Sequence, residues 1–226
     1  MTGDGVEMEY VDANGARMPA VGLGTWQLTG TECYETVSTA LDLGYRHVDT
    51  AQLYDNEREV GRAIEDADVD RDDVFLTTKV SPRNAGHDDL IASVEASLDR
   101  LDTEYVDLLL LHWPNPLVSV ESTMAAMDHL VEQGMVSHVG VSNFPRVLLD
   151  RARGAADTPI VTNQVQFHPY KTQRGMMSYC QDEGLFLTAY SPLARGTVLD
   201  DDTVQRLAAE YDRTPAQIVL RWATQH

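Results

Sequence analysis

Gly44-Tyr-Arg-His-Val-Asp49-Thr-Ala-Gln-Leu-Tyr54-Asp-Asn-Glu57-Arg-Glu-Val-Gly61 is the stretch that decides the fold. Its opening Tyr-Arg-His-Val reads as a buried strand ending on Asp49. A polar turn then presents Tyr54 five residues later, and Asn56 and Glu57 open a helix. Strand, loop and helix make one repeating unit of an α/β fold, and loops after strands are where such folds carry their reactive side chains.

Working outward, the same pattern recurs on both sides. Upstream, Met8 to Val11 alternates as a strand does, and Asn14-Gly15 suits a tight turn into Arg17-Met-Pro, so a hairpin is expected. Val21 to Trp26 is a buried strand with a glycine exit, followed by helical spacing over Cys33 to Leu43. Downstream, strands are expected at His47–Asp49, Val74–Lys79, Val106–Leu111, Val136–Val141, Val161–Gln166 and Phe186–Tyr190. Helices are expected at Asn56–Glu65, Asp88–Leu101, Ser119–Gln133, Arg146–Arg153 and Gly175–Glu183. Two more follow, about Asp202–Tyr211 and Thr214–Thr224, the second capped by Thr214 and Pro215.

Alternating, mostly continuously apolar strands imply parallel pairing with right-handed crossovers, and this many units suggest closure. The expectation is a (β/α)8 TIM barrel with an N-terminal hairpin, truncated after the helices that follow strand seven, with residues 1–226 forming a single domain. Without an eighth strand, Phe186–Tyr190 and the first strand would carry unpaired ladder groups. Such a chain is a fragment, a truncated gene product, or a protein that closes the gap by association; otherwise a monomer is expected.

Composition narrows the partners. The chain has 36 acidic against 17 basic residues, with Lys only at 79 and 171, for a formal charge of -19. Phosphate backbones would be repelled, so nucleic acid is not an expected partner, and a helix-turn-helix reading of Thr203–Trp222 founders on the same charge. The charge reads as a strongly hydrated surface suited to high salt, hence a halophilic host. Two isolated cysteines, Cys33 and Cys180, form neither a disulfide framework nor a zinc site. The acidic N-terminus is not a signal peptide, and no apolar run would cross a bilayer. A cytoplasmic protein with no membrane partner is expected.

In a parallel barrel the carboxyl ends of the strands converge on one mouth, so Asp49, Lys79 and His112 should meet there with Tyr54. The quoted stretch resembles the aldo-keto reductase family signature, Gly-Tyr-Arg-His-hydrophobic-Asp-Thr-Ala, five residues, Glu, two residues, Val-Gly, at every fixed position. Asp49, Tyr54, Lys79 after Phe-Leu-Thr-Thr, and His112 before Trp113-Pro114 resemble the family's catalytic tetrad residue by residue. The resemblance implies NADPH-dependent reduction of an aldehyde or ketone, with NAD possible in place of NADP and no metal. Hydride delivered to a carbonyl carbon leaves an alkoxide, so the site needs a proton donor and positive potential. Tyr54 can donate the proton. An ammonium about 4 Å away would bias it by roughly 4 kcal/mol, or up to about three pKa units. Asp49 would hold Lys79 charged, and His112 would hydrogen-bond the carbonyl oxygen.

The resemblance further implies that Ser142, Asn143 and Gln164 hold the nicotinamide carboxamide. It implies that Tyr190 stacks on the ring, that Ser191 and Leu193 reach the pyrophosphate, that Thr25 and Asp49 lie near the cofactor, and that Trp26 and Trp113 line the substrate pocket with Tyr54 and His112. Taken singly, Ser142 or Asn143 could equally cap a helix, and the two Trp could be core. Ser137 departs from the usual basic or long polar residue. The family's Lys-Ser pair and Arg that favour NADP have no counterpart before residue 226. Two other classes remain open: a binding or regulatory barrel that keeps the site without turnover, and a metal-dependent hydrolase using His47, Asp49, His112 and His168.

Overall fold

The computed structural model describes residues 8–226. A hairpin opens it, β1 (Tyr10–Ala13) antiparallel to β2 (Ala16–Pro19). Its register is set by Asn14 and Gly15, both at positive φ (48° and 85°), which makes the tight turn and moves the first strand two residues later than the alternation of Met8 to Val11 suggests.

Seven parallel strands follow in chain order: β3 (Leu23–Gly24), β4 (His47–Asp49), β5 (Phe75–Val80), β6 (Val106–Leu111), β7 (Val136–Ser142), β8 (Ile160–Gln166) and β9 (Phe186–Tyr190). Helices join them: α1 (Gly30–Asp42), α2 (Glu57–Glu65), α3 (His87–Leu101), α4 (Val120–Glu132), α5 (Arg146–Ala155) and α6 (Arg174–Asp182), then α7 (Asp202–Tyr211) and α8 (Pro215–Thr224). Among the described residues β3 and β9 are the two ends of the sheet order, as expected. Three details depart from the sequence reading. The strand expected over Val21–Trp26 pairs only at Leu23 and Gly24. Tyr45 and Arg46 precede β4 rather than lie in it, because the Arg46 guanidinium turns back to the Leu41 and Tyr45 carbonyls. The edge strand β9 is half-buried along its whole length rather than continuously apolar and covered.

The core has two layers. Strand residues such as Val48, Leu76, Leu109 and Val139 pack outward on Val37, Val60, Leu98 and Met127 from the helices. On the inside, Ala16 and Met18 of the hairpin pack with Phe75, Leu108, Leu110 and Val161, so β2 plugs the amino end of the barrel. The Asn14 amide fixes it by donating to the Ile160 carbonyl at 2.8 Å. Alternation along β5 and β6 then does the positioning: Phe75 and Thr77 lie on the face that carries Lys79, and Leu108 and Leu110 on the face that carries His112.

Candidate active site

The mouth opens above that plug. Asp49 ends β4, Lys79 is the fifth residue of β5, and His112 follows β6 directly. Tyr54 ends a single 3-10 turn over Gln52–Tyr54, so the polar loop of the sequence reading is a tight turn. Asn56, expected to open α2, stands at its N-cap without a side-chain capping bond. It is fully buried and donates to the Thr25 and Leu28 carbonyls, while accepting from the Thr50 hydroxyl.

Lys79 is fully buried, and its ammonium has three partners: the Asp49 carboxylate, the Thr50 carbonyl at 2.9 Å and the Tyr54 hydroxyl at 3.3 Å. Burial favours the neutral amine, but Asp49 and Tyr54 together outweigh it and hold Lys79 above its ordinary pKa. Asp49 also accepts from the Gln164 amide at 2.7 Å, a bond that crosses the barrel from β4 to β8. The tetrad expected from sequence is therefore brought together in space.

One electrostatic expectation is overturned. Lys79 was expected to pull the Tyr54 phenol below its ordinary value, but burial pushes the phenol up, and the Lys79 ammonium offsets this only in part. The site sits deep enough that desolvation of a phenolate outweighs one nearby cation. The phenol stays protonated across neutral pH, the state a proton donor requires.

His112 packs edge-on to Tyr54, with ring centroids 5.6 Å apart. Burial, reinforced by Lys79, pushes its pKa down to about 4, so the ring is neutral above that pH. Its Nδ1 is buried without a hydrogen-bond partner among the described residues. Leaving that nitrogen unprotonated avoids an unpaired buried N–H, which assigns the hydrogen to Nε2 and makes the ring a donor toward the cavity it lines.

A cavity of about 1080 Å³ runs past these groups. Trp26 and Trp113 stand at it 44 % and 48 % exposed, so neither is a core aromatic. Asn143, at φ 61°, donates to the His112 carbonyl at 3.1 Å and to the Ser142 hydroxyl at 2.9 Å, and accepts from the Tyr190 hydroxyl at 3.0 Å. The capping alternative for these residues fails, since α5 begins after Pro145 with no side-chain cap. Ser191 and Leu193 line the same cavity beside Tyr190. Thr25 lies behind the wall, fully buried, with its hydroxyl donated to the Asp49 carbonyl at 3.2 Å.

A flat carboxamide-bearing ring fits this wall. The Gln164 side chain lines the cavity, its amide nitrogen is taken by Asp49, and its Oε1 has no partner among the described residues. That oxygen can accept from a carboxamide NH2 while the Tyr190 ring offers a stacking face. The hydrolase alternative finds less support: no three His, Cys, Asp or Glu side chains among the described residues converge as metal ligands. His47 Nε2 is within 3.0 Å of the Thr77 hydroxyl, and His168 Nε2 within 3.1 Å of the Gln166 amide.

Two residues escaped the sequence reading. Arg195, at φ 55°, lays its guanidinium 4.7 Å from the centre of the Trp26 ring at the cavity. Gln52, inside the opening stretch, ties the Tyr54 turn to its surroundings through five hydrogen bonds. Nothing local to Gln52 signals this, because its partners lie roughly 30 to 45 residues away.

The sequence profile described as "Aldo/keto reductase family" matches residues 20–226. Methylglyoxal reductase DkgB of Salmonella typhimurium is 44 % identical over 209 residues, covering 91 % of this chain and 78 % of that protein. Glyoxal reductase of Bacillus subtilis is 38 % identical, covering 94 % of this chain and 77 % of that protein. Among solved structures, an aldo/keto reductase from Brucella melitensis superposes with a TM-score of 0.91 at 37 % identity, covering 97 % of this chain and 85 % of that one.

Proposed function

This chain belongs to the aldo/keto reductase family, and is an oxidoreductase that reduces aldehydes or ketones to alcohols with a nicotinamide cofactor; from that premise we propose that it takes small aldehydes such as methylglyoxal and glyoxal, draws on NADPH, and uses Tyr54 as its proton donor. The observation that carries the reading is the Tyr54 hydroxyl 3.3 Å from a fully buried Lys79 that is itself held by Asp49.

When bound, the nicotinamide would supply hydride for the carbonyl carbon. Asn143 and Gln164 would hold its carboxamide, with Ser142 beside them at the cavity and its hydroxyl donated to the Gln164 carbonyl at 2.9 Å; Tyr190 would stack on the ring, and Ser191 and Leu193 would meet the pyrophosphate. His112, neutral at working pH, donates to the carbonyl oxygen and orients it. As negative charge develops there, Tyr54 gives up its proton, and Lys79 stabilises the phenolate left behind. Asp49 keeps Lys79 charged through the step. Trp26 and Trp113, which line the cavity, would flank the substrate. NADPH, rather than NADH, is proposed on the strength of the family resemblance alone.

Two further readings go with this one. The formal net charge of -19 suits a concentrated-salt milieu. The two free cysteines, both buried and with their thiols pushed up to about 11 by burial, suit a reducing cytoplasm. Among the described residues no helix is long and apolar enough to cross a membrane.

The experiment is loss of NADPH absorbance, and separately of NADH absorbance, with a panel of aldehydes and sugar-derived ketones on wild type and Tyr54→Phe. Turnover of short aldehydes with NADPH, lost in Tyr54→Phe, is expected. Equal rates in the two proteins would remove Tyr54 from its role, and a preference for NADH would overturn the cofactor assignment.

A further inference from the structure

Two hydrogen bonds bracket the Tyr54–Lys79 contact. Gln52, two residues before Tyr54, accepts at Oε1 from the backbone N–H of Ser81, two residues after Lys79, at 2.9 Å. Glu57, three residues after Tyr54, accepts at Oε1 from the hydroxyl of Thr78, the residue before Lys79, at 2.6 Å. The acid-bearing turn and the lysine-bearing strand are thus tied on either side of the atoms they present.

Both braces converge on α3. The Gln52 amide nitrogen donates to the Ser93 carbonyl at 3.0 Å and to the Ser93 and Ser97 hydroxyls at 3.1 Å each. Arg100 on the same helix donates to Glu57 Oε2 at 2.8 Å and to the Ser97 hydroxyl at 2.9 Å. Glu57 is 2 % exposed, so its carboxyl oxygens are met by these partners rather than by solvent. The Ser81 bond is not needed by the sheet, since β5 is already paired on both sides, with β4 and β6. What it does is couple a three-residue turn to the strand that carries Lys79.

We propose that Gln52 is a positioning residue for catalysis, fixing the Tyr54 phenol against Lys79 through Ser81 and α3, with Glu57 and Arg100 as the second brace. The proposal rests on the reading of Tyr54 as proton donor. A misplacement of about 1 Å at a reacting centre can cost on the order of 100-fold in rate, so a loosened turn is expected to show in kcat. The phenol is faced by Lys79 from β5, Asp49 from β4, His112 after β6 and Tyr190 from β9. Loosening the turn removes it from Lys79 first.

The test compares wild type, Tyr54→Phe, Gln52→Met and Ser81→Pro, each with NADPH and methylglyoxal. Ser81 has φ -57°, which proline adopts without strain, so Ser81→Pro deletes the N–H that Gln52 accepts, together with the hydroxyl that accepts from the Arg83 N–H at 3.4 Å, and leaves Gln52 on α3. Both Gln52→Met and Ser81→Pro should lower kcat by about 10- to 100-fold with KM and the NADPH dissociation constant unchanged. The alkaline limb of kcat should move upward in both, because a phenol further from the ammonium holds its proton longer. The double variant should be no slower than the slower single one. Thermal melts keep the outcome readable: a purely structural Gln52 lowers the melting temperature of Gln52→Met while Ser81→Pro keeps wild-type kcat and pH profile, and that result overturns the proposal. If Tyr54→Phe itself turns over at the wild-type rate, the underlying assignment of the acid fails instead. An inactive Tyr54→Phe with unaltered kcat in the other two overturns the positioning role alone.

Discussion

Replacing Lys79 with Met removes the positive charge that touches the Tyr54 oxygen at 3.3 Å. At an effective dielectric of ~20, an ammonium and a developing phenolate at that separation attract by about 5 kcal/mol, which is more than three decades in rate. A fall of about a thousandfold or more in kcat is therefore expected. The same change strands Asp49, whose side chain is 15 % exposed and would keep only the Gln164 amide as a donor. Breaking one half of a buried pair costs about 3 to 5 kcal/mol in stability, so Lys79→Met alone confounds folding with catalysis. Adding Asp49→Asn neutralises the stranded charge in nearly the same volume, and the double variant should regain most of the stability and none of the rate. Urea unfolding followed by circular dichroism reads the first quantity, and NADPH consumption under single-turnover conditions reads the second. Two results would refute the reasoning: Lys79→Met within tenfold of wild type, or a double variant that recovers turnover together with its fold.

The remaining expectations concern stability. His47 is buried and its pKa is pushed down to about 4, chiefly by burial, with Asp49 opposing the shift and Lys79 adding to it. Its folded value lies below the unfolded one, so the unfolded chain takes the proton first as pH falls. About 3 kcal/mol of stability should be lost between roughly pH 6.5 and pH 4, and His47→Asn should flatten that part of a urea-midpoint profile; an unchanged profile would show that the ring is already charged in the fold. Gly61 sits where α2 crosses the end of α3, and a Cβ there would lie 2.2 Å from the Leu101 carbonyl oxygen, a backbone atom. Gly61→Ala should destabilise by about 1 to 3 kcal/mol, and a wild-type urea midpoint would mean that the helices can part freely. With a net charge of -19, the melting temperature should rise between dilute and molar potassium chloride, as the screening length falls from ~10 Å at 0.1 M to ~3 Å at 1 M. A flat response would count against a high-salt setting.

Taken alone, the sequence determined the repeating plan, because strand and helix periods are local properties of the chain. Period-two and continuously apolar runs gave the seven parallel strands within a residue or two, and Thr214-Pro215 gave the start of α8 together with its capping box. The order of residues also determined which side chains could do chemistry, since Asp49, Lys79 and His112 end or follow strands whose carboxyl ends must face one mouth. The tertiary structure decided what those groups experience. Whether Tyr54 is pulled down by Lys79 or pushed up by burial is a contest between one contact and the whole surrounding medium, and only packing sets the second term. In the same way, nothing local in Gln52 or Gln164 announces a bracket or a cross-barrel bond, because their partners are brought from roughly 30 to 115 residues away by the closure of the sheet. Residue types and order are written along the chain. Burial, orientation and long-range hydrogen bonding exist only once β3 to β9 have curved around a common interior.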